Sequence, residues 1–250
     1  MEELMTIGVL LFGLVIGSFL NVCIYRLPRG EEIVKKPSHC PNCMSPLTWY
    51  EMIPVISFLI QKGRCRNCKE KISFQYPAVE LFNGILYLWI VHKTGYQFLS
   101  LLYCLCASAL LVIAVIDART YEIPLGCNLF IGTMGCVRLF LNLSVWQEYV
   151  IGFFAVSGPF LLIYLFTQGK GIGGGDIKLM AAAGLLLGWK GILLALAVGS
   201  VTGSVVHITL MKLKKKDRVL AFGPYLSAGI FLAMLYGREL MEWYLRLCGF

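Results

Sequence analysis

Apolar segments of about membrane-spanning length follow one another along almost the whole chain. The sequence contains eight of them: Leu4–Tyr25, Ala78–His92, Phe98–Ile116, Leu125–Leu143, Tyr149–Phe166, Ile177–Gly188, Gly191–Met211 and Ala221–Tyr236. About 20 consecutive apolar residues cross the hydrocarbon core of a bilayer as a helix, and shorter segments need a buried place in a bundle. We therefore expect an all-α polytopic membrane protein with about eight transmembrane helices.

The overall composition excludes the main soluble classes. Of the 250 residues, 58% are apolar and only 14% are charged, whereas about a quarter of an ordinary globular domain is charged. The mean hydropathy is +0.75, which is more apolar surface than one soluble core can bury. A soluble cytosolic enzyme, a disordered chain, a collagen-like repeat and a secreted disulfide scaffold are therefore excluded.

The placement of the basic residues predicts the orientation in the membrane. If the chain crosses the bilayer at each apolar segment, most of the 22 Lys and Arg residues fall in one set of loops. These loops are Arg26–Pro77, Asp117–Pro124, Thr167–Lys178 and Lys212–Arg218. Cytoplasmic loops collect Lys and Arg, so this set faces the cytoplasm and the N-terminus faces outward. Topology thus explains the net charge of +8, and we expect contact with membrane lipid and no nucleic-acid partner.

The chain divides into four predicted parts. Residues 1–25 form the first transmembrane helix, and residues 26–77 form a cytoplasmic insert. Residues 78–236 form the transmembrane core, and residues 237–250 form a tail whose helical spacing of apolar and charged residues predicts a position along the membrane interface. The first apolar segment lacks a basic leading region and a small-residue cleavage site, so we interpret it as a span and not as a signal peptide.

The insert carries a cysteine pattern typical of a zinc ribbon. Cys40 and Cys43 form one C-x-x-C pair, and Cys65 and Cys68 form another after 21 intervening residues. Two such pairs supply the four thiolates that tetrahedral zinc prefers, and a segment with little core of its own gains stability from a metal. Structural disulfides are disfavoured in reducing cytosol, and a redox motif would need a thioredoxin-like βαβ context. We therefore expect zinc or another thiophilic metal.

Two aspartates occupy matched positions at the cytoplasmic ends of predicted spans. Asp117 follows the third apolar segment, and Asp176 follows Gly173, Gly174 and Gly175. An ionisable residue at this depth is costly and is a functional candidate. If the two carboxylates meet, they share a proton. One then takes a proton from water while the other donates to a scissile carbonyl, which is the chemistry of an aspartic protease.

Spacing alone leaves other interpretations open. The glycines before Asp176 either admit an extended substrate or form a flexible linker with Asp176 as a helix N-cap, and Asp117 by itself is also explained as a boundary residue paired with Arg119. A proton-coupled transporter with Asp117 and Asp176 as its relay and a zinc-binding regulatory loop is the alternative function, although transporters place such carboxylates at mid-span. A non-enzymatic assembly scaffold leaves the matched aspartates unexplained.

Several motifs, taken together, resemble those of type IV prepilin peptidases. In chain order they are Gly17–Val22 (GSFLNV), Tyr25–Pro28 (YRLP), the paired C-x-x-C, Tyr76–Glu80 (YPAVE), Gly173–Asp176 (GGGD, a G-x-G-D motif) and Phe222–Leu226 (FGPYL). The resemblance extends from Gly17 to Leu226. One departure is that Leu125 and Gly126 follow the Ile-Pro after Asp117, where the family often has a polar residue. This departure leaves the aspartate itself unchanged.

The resemblance implies a specific activity. Such enzymes lie in the bacterial inner membrane, cut the leader from type IV prepilins and pseudopilins at its cytoplasmic face, and then methylate the new N-terminus with S-adenosylmethionine. It also implies that Asp117 and Asp176 are the catalytic pair and that the four cysteines of the insert hold the metal.

Two glycine-containing segments are predicted to bind substrate. Gly173, Gly174 and Gly175 permit close backbone approach before the second aspartate. Gly223 and Pro224 begin the last span, where the proline loosens or starts a helix and so leaves backbone groups open. The alternative for Pro224 is a structural role in the first turn of a membrane helix.

The sequence contains no recognisable motif for a methyl-donor site. The sequence has no G-x-G-x-x-G motif after a predicted strand, so a methyltransferase activity rests on the resemblance alone. Asn21, Arg26 and Glu80 lie near the cytoplasmic face, and we take them as the candidates for an S-adenosylmethionine pocket.

Overall fold

The structure is a computed structural model that describes residues 2–214 and 220–247. In this part of the chain the α-helices are α1 (Glu2–Arg26), α2 (Ile56–Ile60), α3 (Gln75–Thr94), α4 (Phe98–Thr120), α5 (Leu125–Leu141), α6 (Trp146–Phe166), α7 (Gly174–Lys214) and α8 (Gly223–Leu247). Short 3₁₀ turns lie at Leu27–Arg29, Trp49–Met52 and Leu143–Val145. Most of the predicted basic loop Lys212–Arg218 and the last three residues of the predicted tail lie outside the described residues.

The predicted all-helical membrane architecture is confirmed, but the count of eight spans is not. Within residues 2–214 and 220–247, four helical stretches are long and apolar enough to cross a membrane: Glu3–Arg29, Phe98–Thr120, Leu143–Phe166 and Gly174–Lys212. Helix α5 is apolar but shorter. The chain is therefore a multi-pass helical membrane protein, and the number of eight spans stays a prediction.

Helix α7 covers two of the apolar segments that the sequence separates. It extends over 41 residues, and its backbone leaves the helical region at Gly188, where φ is 73° and ψ is 174°. This left-handed conformation strongly favours glycine. Gly188 therefore divides α7 into two arms, at the position where the sequence predicts one apolar segment to end.

The chain folds as two compact units, Met1–Ser108 and Ala109–Phe250, and their boundary lies within α4. The four predicted parts stay a prediction. Helix α8 continues without a break through the predicted boundary between the core and the tail.

In the first unit, α1 packs along α3. Gly17 allows the close approach, because a Cβ at this position would lie only 2.7 Å from the Cα of Glu80. Small residues serve this purpose in membrane helices, where packing replaces the hydrophobic effect.

A buried polar cluster fixes the register of the helices in the first unit. The Asn83 side-chain amide donates to the carbonyl of Gly13 at 2.8 Å, and the Ser108 hydroxyl donates to Asn83 Oδ1 at 2.9 Å. The hydroxyl of Tyr87 lies 2.9 Å from that of Ser108. Polar groups in such a cluster satisfy one another in an apolar surrounding, which favours one helix register over others.

In the second unit, α7 packs against α5, α6 and α8. Its first arm meets α6 where Gly152 faces Gly184, and a Cβ on Gly152 would lie 2.5 Å from the Gly184 carbonyl oxygen. Leu179, Met180 and Leu186 are fully buried in this arm. The N-terminus of α7 is thereby held in place, and it carries one of the two predicted catalytic aspartates.

Candidate active site

A cavity in the second unit brings the two predicted catalytic aspartates together. Its volume is about 330 Å³, and both Asp117 and Asp176 line it. The other lining residues are Tyr121, Glu122, Ile123, Leu125, Gly173, Gly174, Gly175 and Lys178. We refer to this space as the aspartate cavity.

Asp117 lies near the end of α4 and is held by the first residue of α8. Its side chain is buried, and the backbone N–H of Gly223 donates a hydrogen bond to its Oδ2 atom at 2.8 Å. A Cβ at position 223 would lie 2.7 Å from the same oxygen, so any side chain there would displace the carboxylate. The exposed N–H groups of a helix N-terminus favour a negative group, and Gly223 therefore orients Asp117.

Asp176 is the third residue of α7 and is half-buried. Its position inside the first turn differs from the N-cap alternative, in which it would precede the helix. Its backbone N–H donates to the carbonyl of Gly173 at 3.1 Å. This bond closes the first turn and fixes the aspartate at the edge of the cavity.

Gly175, directly before Asp176, is held by neighbours from the α4–α5 connection and from α5. A Cβ on Gly175 would lie 2.9 Å from the Cβ of Ile123, so this position requires a residue without a side chain. The Asn128 side-chain amide donates to the Gly175 carbonyl at 3.4 Å. All three predicted glycines line the cavity, so they are placed where a substrate backbone could approach Asp176.

Gly223 and Pro224 are placed differently from the three glycines. Neither residue lines the aspartate cavity, and the N–H of Gly223 is already donated to Asp117. In the structure this segment positions the carboxylate, and its direct contact with substrate stays a prediction.

Sequence reasoning missed several parts of the site. Tyr121, Glu122 and Lys178 line the cavity, and their only signal was proximity in the chain to one of the aspartates. The bond between Asp117 and Gly223 had no local signal, because the two residues are 106 positions apart.

The four cysteines of the insert lie together in the first unit. The Sγ atoms of Cys40, Cys43, Cys65 and Cys68 all lie within 4.8 Å of one another, and those of Cys40 and Cys68 are 3.9 Å apart. A zinc ion with four Zn–S bonds of about 2.3 Å needs sulfur atoms about 3.8 Å apart in a tetrahedron. The four residues therefore fit a tetrathiolate metal site, which we call the four-cysteine cluster.

The insert builds this cluster from two copies of one backbone turn. The N–H of Cys40 donates to the Ser45 carbonyl at 3.0 Å, and that of Cys65 donates to the Glu70 carbonyl at 2.8 Å. The residue after the second cysteine of each pair has a positive φ, and isolated β-bridges close both turns. His39, which precedes Cys40 in the chain, is not part of the cluster.

The surroundings of the thiols differ within the cluster. The hydroxyl of Ser45 lowers the pKa of Cys43 to about 6, and the backbone N–H groups of Cys68 and Asn67 lower the pKa of Cys65. Burial raises the pKa of Cys40 to about 11. Since metals bind thiolates, metal uptake requires a proton to leave Cys40.

Arg26, a predicted cofactor residue, anchors the beginning of the insert. Its side chain is buried at the end of α1, and its guanidinium donates to the carbonyls of Glu32, Ile33, Lys36 and Pro37 at 2.9–3.2 Å. These bonds hold the folded-back chain against the end of α1, so the guanidinium of Arg26 has a structural role.

Glu80 and Asn21, the other two predicted cofactor residues, also bind backbone groups. Glu80 Oε2 accepts the N–H of Val55 at 2.8 Å, and the Asn21 amide donates to the Tyr76 carbonyl at 3.0 Å. Asn21 Oδ1 is buried without a hydrogen-bond partner in the described part of the chain. Of the three residues, Asn21 alone keeps an unused buried polar atom here, and the cofactor role of all three stays a prediction.

Comparisons with known proteins agree with this arrangement. Residues 11–94 match the model of the bacterial peptidase A24 N-terminal domain, and residues 104–208 match that of the type IV leader peptidase family. A prepilin leader peptidase/N-methyltransferase from Bacillus subtilis is 34% identical over 243 residues, which cover 95% of this chain and 96% of the relative. The protein with the same name from Stutzerimonas stutzeri is 31% identical over 271 residues, covering 95% and 92%. No solved structure matches the chain.

The helical membrane fold and the paired aspartates define a multi-pass membrane protein with the groups required for acid–base hydrolysis. The relatives, matched over nearly their full length, define it more narrowly. The chain belongs to the type IV leader peptidase family, as its motifs predicted.

Proposed function

We propose that this chain removes the leader peptide from type IV prepilins and pseudopilins and then N-methylates the new N-terminus with S-adenosylmethionine as the methyl donor. Family membership and the names of its relatives support both activities. The observation that carries the cleavage step is that Asp117 and Asp176 line one cavity. Nothing in these relatives supports the alternative of a proton-coupled transporter.

Cleavage requires one ionised and one protonated carboxyl group. The ionised group of the Asp117–Asp176 pair takes a proton from water as the water oxygen attacks the scissile carbonyl carbon, and the protonated group donates its proton to the carbonyl oxygen. As the diol collapses, one of its hydroxyls returns a proton to the ionised carboxylate, the C–N bond breaks, and the departing amine nitrogen takes a proton from the pair. This sequence restores one proton on the two carboxyl groups.

Residues in and next to the aspartate cavity support this reaction by position. The Gly223 N–H holds one oxygen of Asp117, so that this carboxylate is fixed before substrate arrives. Gly173, Gly174 and Gly175 line the wall beside Asp176, where an extended peptide can lie against backbone that carries no side chains.

We propose that the N-terminus faces outward and that the aspartates act at the cytoplasmic face of the inner membrane. The distribution of Lys and Arg between the two sets of loops supports this orientation. The substrate fits this location, since a prepilin has a basic leader followed by a long apolar helix and its cleavage site therefore rests at the membrane surface. A glycine at the cut weakens the helix locally, which helps expose the carbonyl.

The four-cysteine cluster is proposed to hold zinc. The ion would tie the two turns of the insert together, which is a structural contribution in a segment with little core. For the methyl donor, Asn21, Arg26 and Glu80 remain the candidates, and the unpaired Oδ1 of Asn21 supports Asn21 most directly.

The proposal is tested by co-expressing a prepilin with the wild type, Asp117→Asn or Asp176→Asn. We expect each variant to cut about 10²- to 10⁴-fold more slowly, since the loss of a general acid or base has effects of this size. Gel mobility reports leader removal, and the intact mass of the product reports both the cut and the added methyl group.

Glu3→Gln is the matched control, because it neutralises an exposed carboxylate in the described part of α1. It should cut at the wild-type rate. Cleavage at the normal rate by a folded Asp117→Asn or Asp176→Asn variant would contradict the shared-proton mechanism.

A further inference from the structure

The short helix α2 of the insert leaves its apolar side chains uncovered. Ile56, Leu59 and Ile60 are 54%, 66% and 75% exposed. Phe74, directly before α3, is 73% exposed and packs edge-on against Phe58 of α2, with ring centroids 6.3 Å apart. A cluster of exposed large apolar side chains marks an interaction surface.

Glu80 determines where α2 lies along the membrane helices. Its carboxylate accepts the N–H of Val55, the residue that precedes α2, at 2.8 Å. Glu80 itself packs against Gly17 of α1. Gly17 lies about 13 Å before Arg26 at the end of α1, from a rise of 1.5 Å per residue, and no charged residue lies between them. Helix α2 therefore begins beside the apolar part of α1 and not beyond its end.

The backbone of this segment is bonded in the way that lipid requires. Polar backbone groups in hydrocarbon must be satisfied internally. The N–H groups of Ser57, Leu59 and Gln61 donate to the carbonyls of Ile53, Val55 and Ser57 at 2.9–3.1 Å. The hydroxyl of Ser57 also donates to the backbone carbonyl of Ile53 at 2.7 Å. The outer surface of α2 is consequently formed by its apolar side chains.

Basic side chains begin directly after α2. Lys62, Arg64, Arg66, Lys69 and Lys71 are all exposed. Lys and Arg near a membrane surface are attracted to anionic phospholipid headgroups, and their long stems let the charge reach the headgroups while the chain stays close to the apolar region. An apolar helix followed by a basic segment matches a bilayer leaflet, in which an apolar acyl-chain region lies next to anionic headgroups.

We propose that α2 is immersed in the bilayer leaflet next to the insert, where Ile56, Leu59 and Ile60 contact phospholipid acyl chains and the basic residues from Lys62 to Lys71 lie at the headgroups. The insert is then attached to the membrane at three places, through α1, α2 and α3. This keeps the four-cysteine cluster at the membrane surface. The inference requires only a membrane-embedded chain and is independent of the proposed peptidase activity.

The test places the photoreactive residue benzoylphenylalanine at position 59 or 60 of the full-length, metal-loaded chain. The protein is reconstituted in nanodiscs of phosphatidylcholine and phosphatidylglycerol, irradiated and analysed by intact mass. Position 44 is the matched control, because Met44 is 64% exposed in the same insert but lies in a turn of the four-cysteine cluster. We expect lipid adducts at 59 and 60 to be at least about fivefold more abundant than at 44.

Three results would overturn the proposal. Adducts between two copies of the chain would mean that α2 contacts a second protomer. In a parallel sample with added prepilin, adducts to the prepilin would mean that α2 is a substrate surface. Equal lipid labelling at positions 44 and 59 would mean that α2 makes no specific contact with lipid. Metal content and size-exclusion behaviour check folding, and position 56 replaces either site if a variant does not fold.

Discussion

The four-cysteine cluster and the aspartate cavity hold their functional groups in different ways. The four cysteines lie in one short segment, and hydrogen bonds across a few residues shape both turns. Asp117 and Asp176 belong to different helices, and Asp117 also depends on Gly223, 106 positions away in the chain. We infer that local unfolding of the insert would disrupt the four-cysteine cluster, whereas small displacements of helix ends would disrupt the aspartate cavity.

Outside the aspartate pair itself, the largest effect should come from a methyl group added at the helix end beside Asp117. Gly223→Ala places a Cβ 2.7 Å from Asp117 Oδ2, so the carboxylate or the start of α8 must move. We expect prepilin cleavage to fall about 10²-fold, as for misplacement of a catalytic group by about 1 Å. Initial cleavage rates on purified protein measure this.

Gly237→Ala is the control on the same helix, because a Cβ there has no neighbour within 4 Å. It should leave both cleavage and thermal stability nearly unchanged. Equal rates for Gly223→Ala and Gly237→Ala would mean that the geometry at the start of α8 does not position Asp117.

A smaller effect on cleavage is expected from the four-cysteine cluster. Cys40→Ser combined with Cys65→Ser removes one ligand from each turn, so bound metal should fall from stoichiometric to near zero because zinc needs all four thiolates. The insert should become sensitive to limited proteolysis, while cleavage falls by no more than about tenfold if folding of the insert and assembly of the cavity are separate.

Cys136→Ser changes an exposed cysteine outside the cluster and should keep both the metal and the activity. Elemental analysis together with a protease time course measures the outcome. Unchanged metal content in the double variant would exclude the tetrathiolate site, and a complete loss of cleavage would show that the two regions are not separate.

The smallest effect should come from Asn128, which reaches the Gly175 carbonyl through a long hydrogen bond of 3.4 Å. Asn128→Leu keeps a similar volume but removes this bond, and we expect kcat to fall only a few-fold because a single neutral hydrogen bond contributes about 1 kcal/mol. Thr133→Val on the same helix is the comparison. A decrease as large as that of Gly223→Ala would mean that Asn128 holds Asp176 more strongly than the bond length indicates.

The membrane class and the candidate groups could be predicted from sequence because their signals are local. The apolar segments required a helical membrane protein, and the two C-x-x-C pairs predicted a four-thiolate cluster that the structure brings together. Asp117 and Asp176 were identified by their position at the ends of apolar segments and by the motif around Asp176. The count of spans was less secure, since length and hydropathy do not determine whether a short segment such as α5 crosses the bilayer.

The sequence by itself determined which residues carry the chemistry and that they must lie in a helical membrane protein. Only the tertiary structure decided that Gly223 orients Asp117, that Arg26 holds the beginning of the insert, and that Glu80 ties α2 beside α1. The physical reason is that these contacts join backbone groups to side chains on other elements. Backbone N–H and C=O groups are the same in every residue apart from proline. A pattern of residue types therefore does not indicate which backbone group will form a hydrogen bond with a distant side chain.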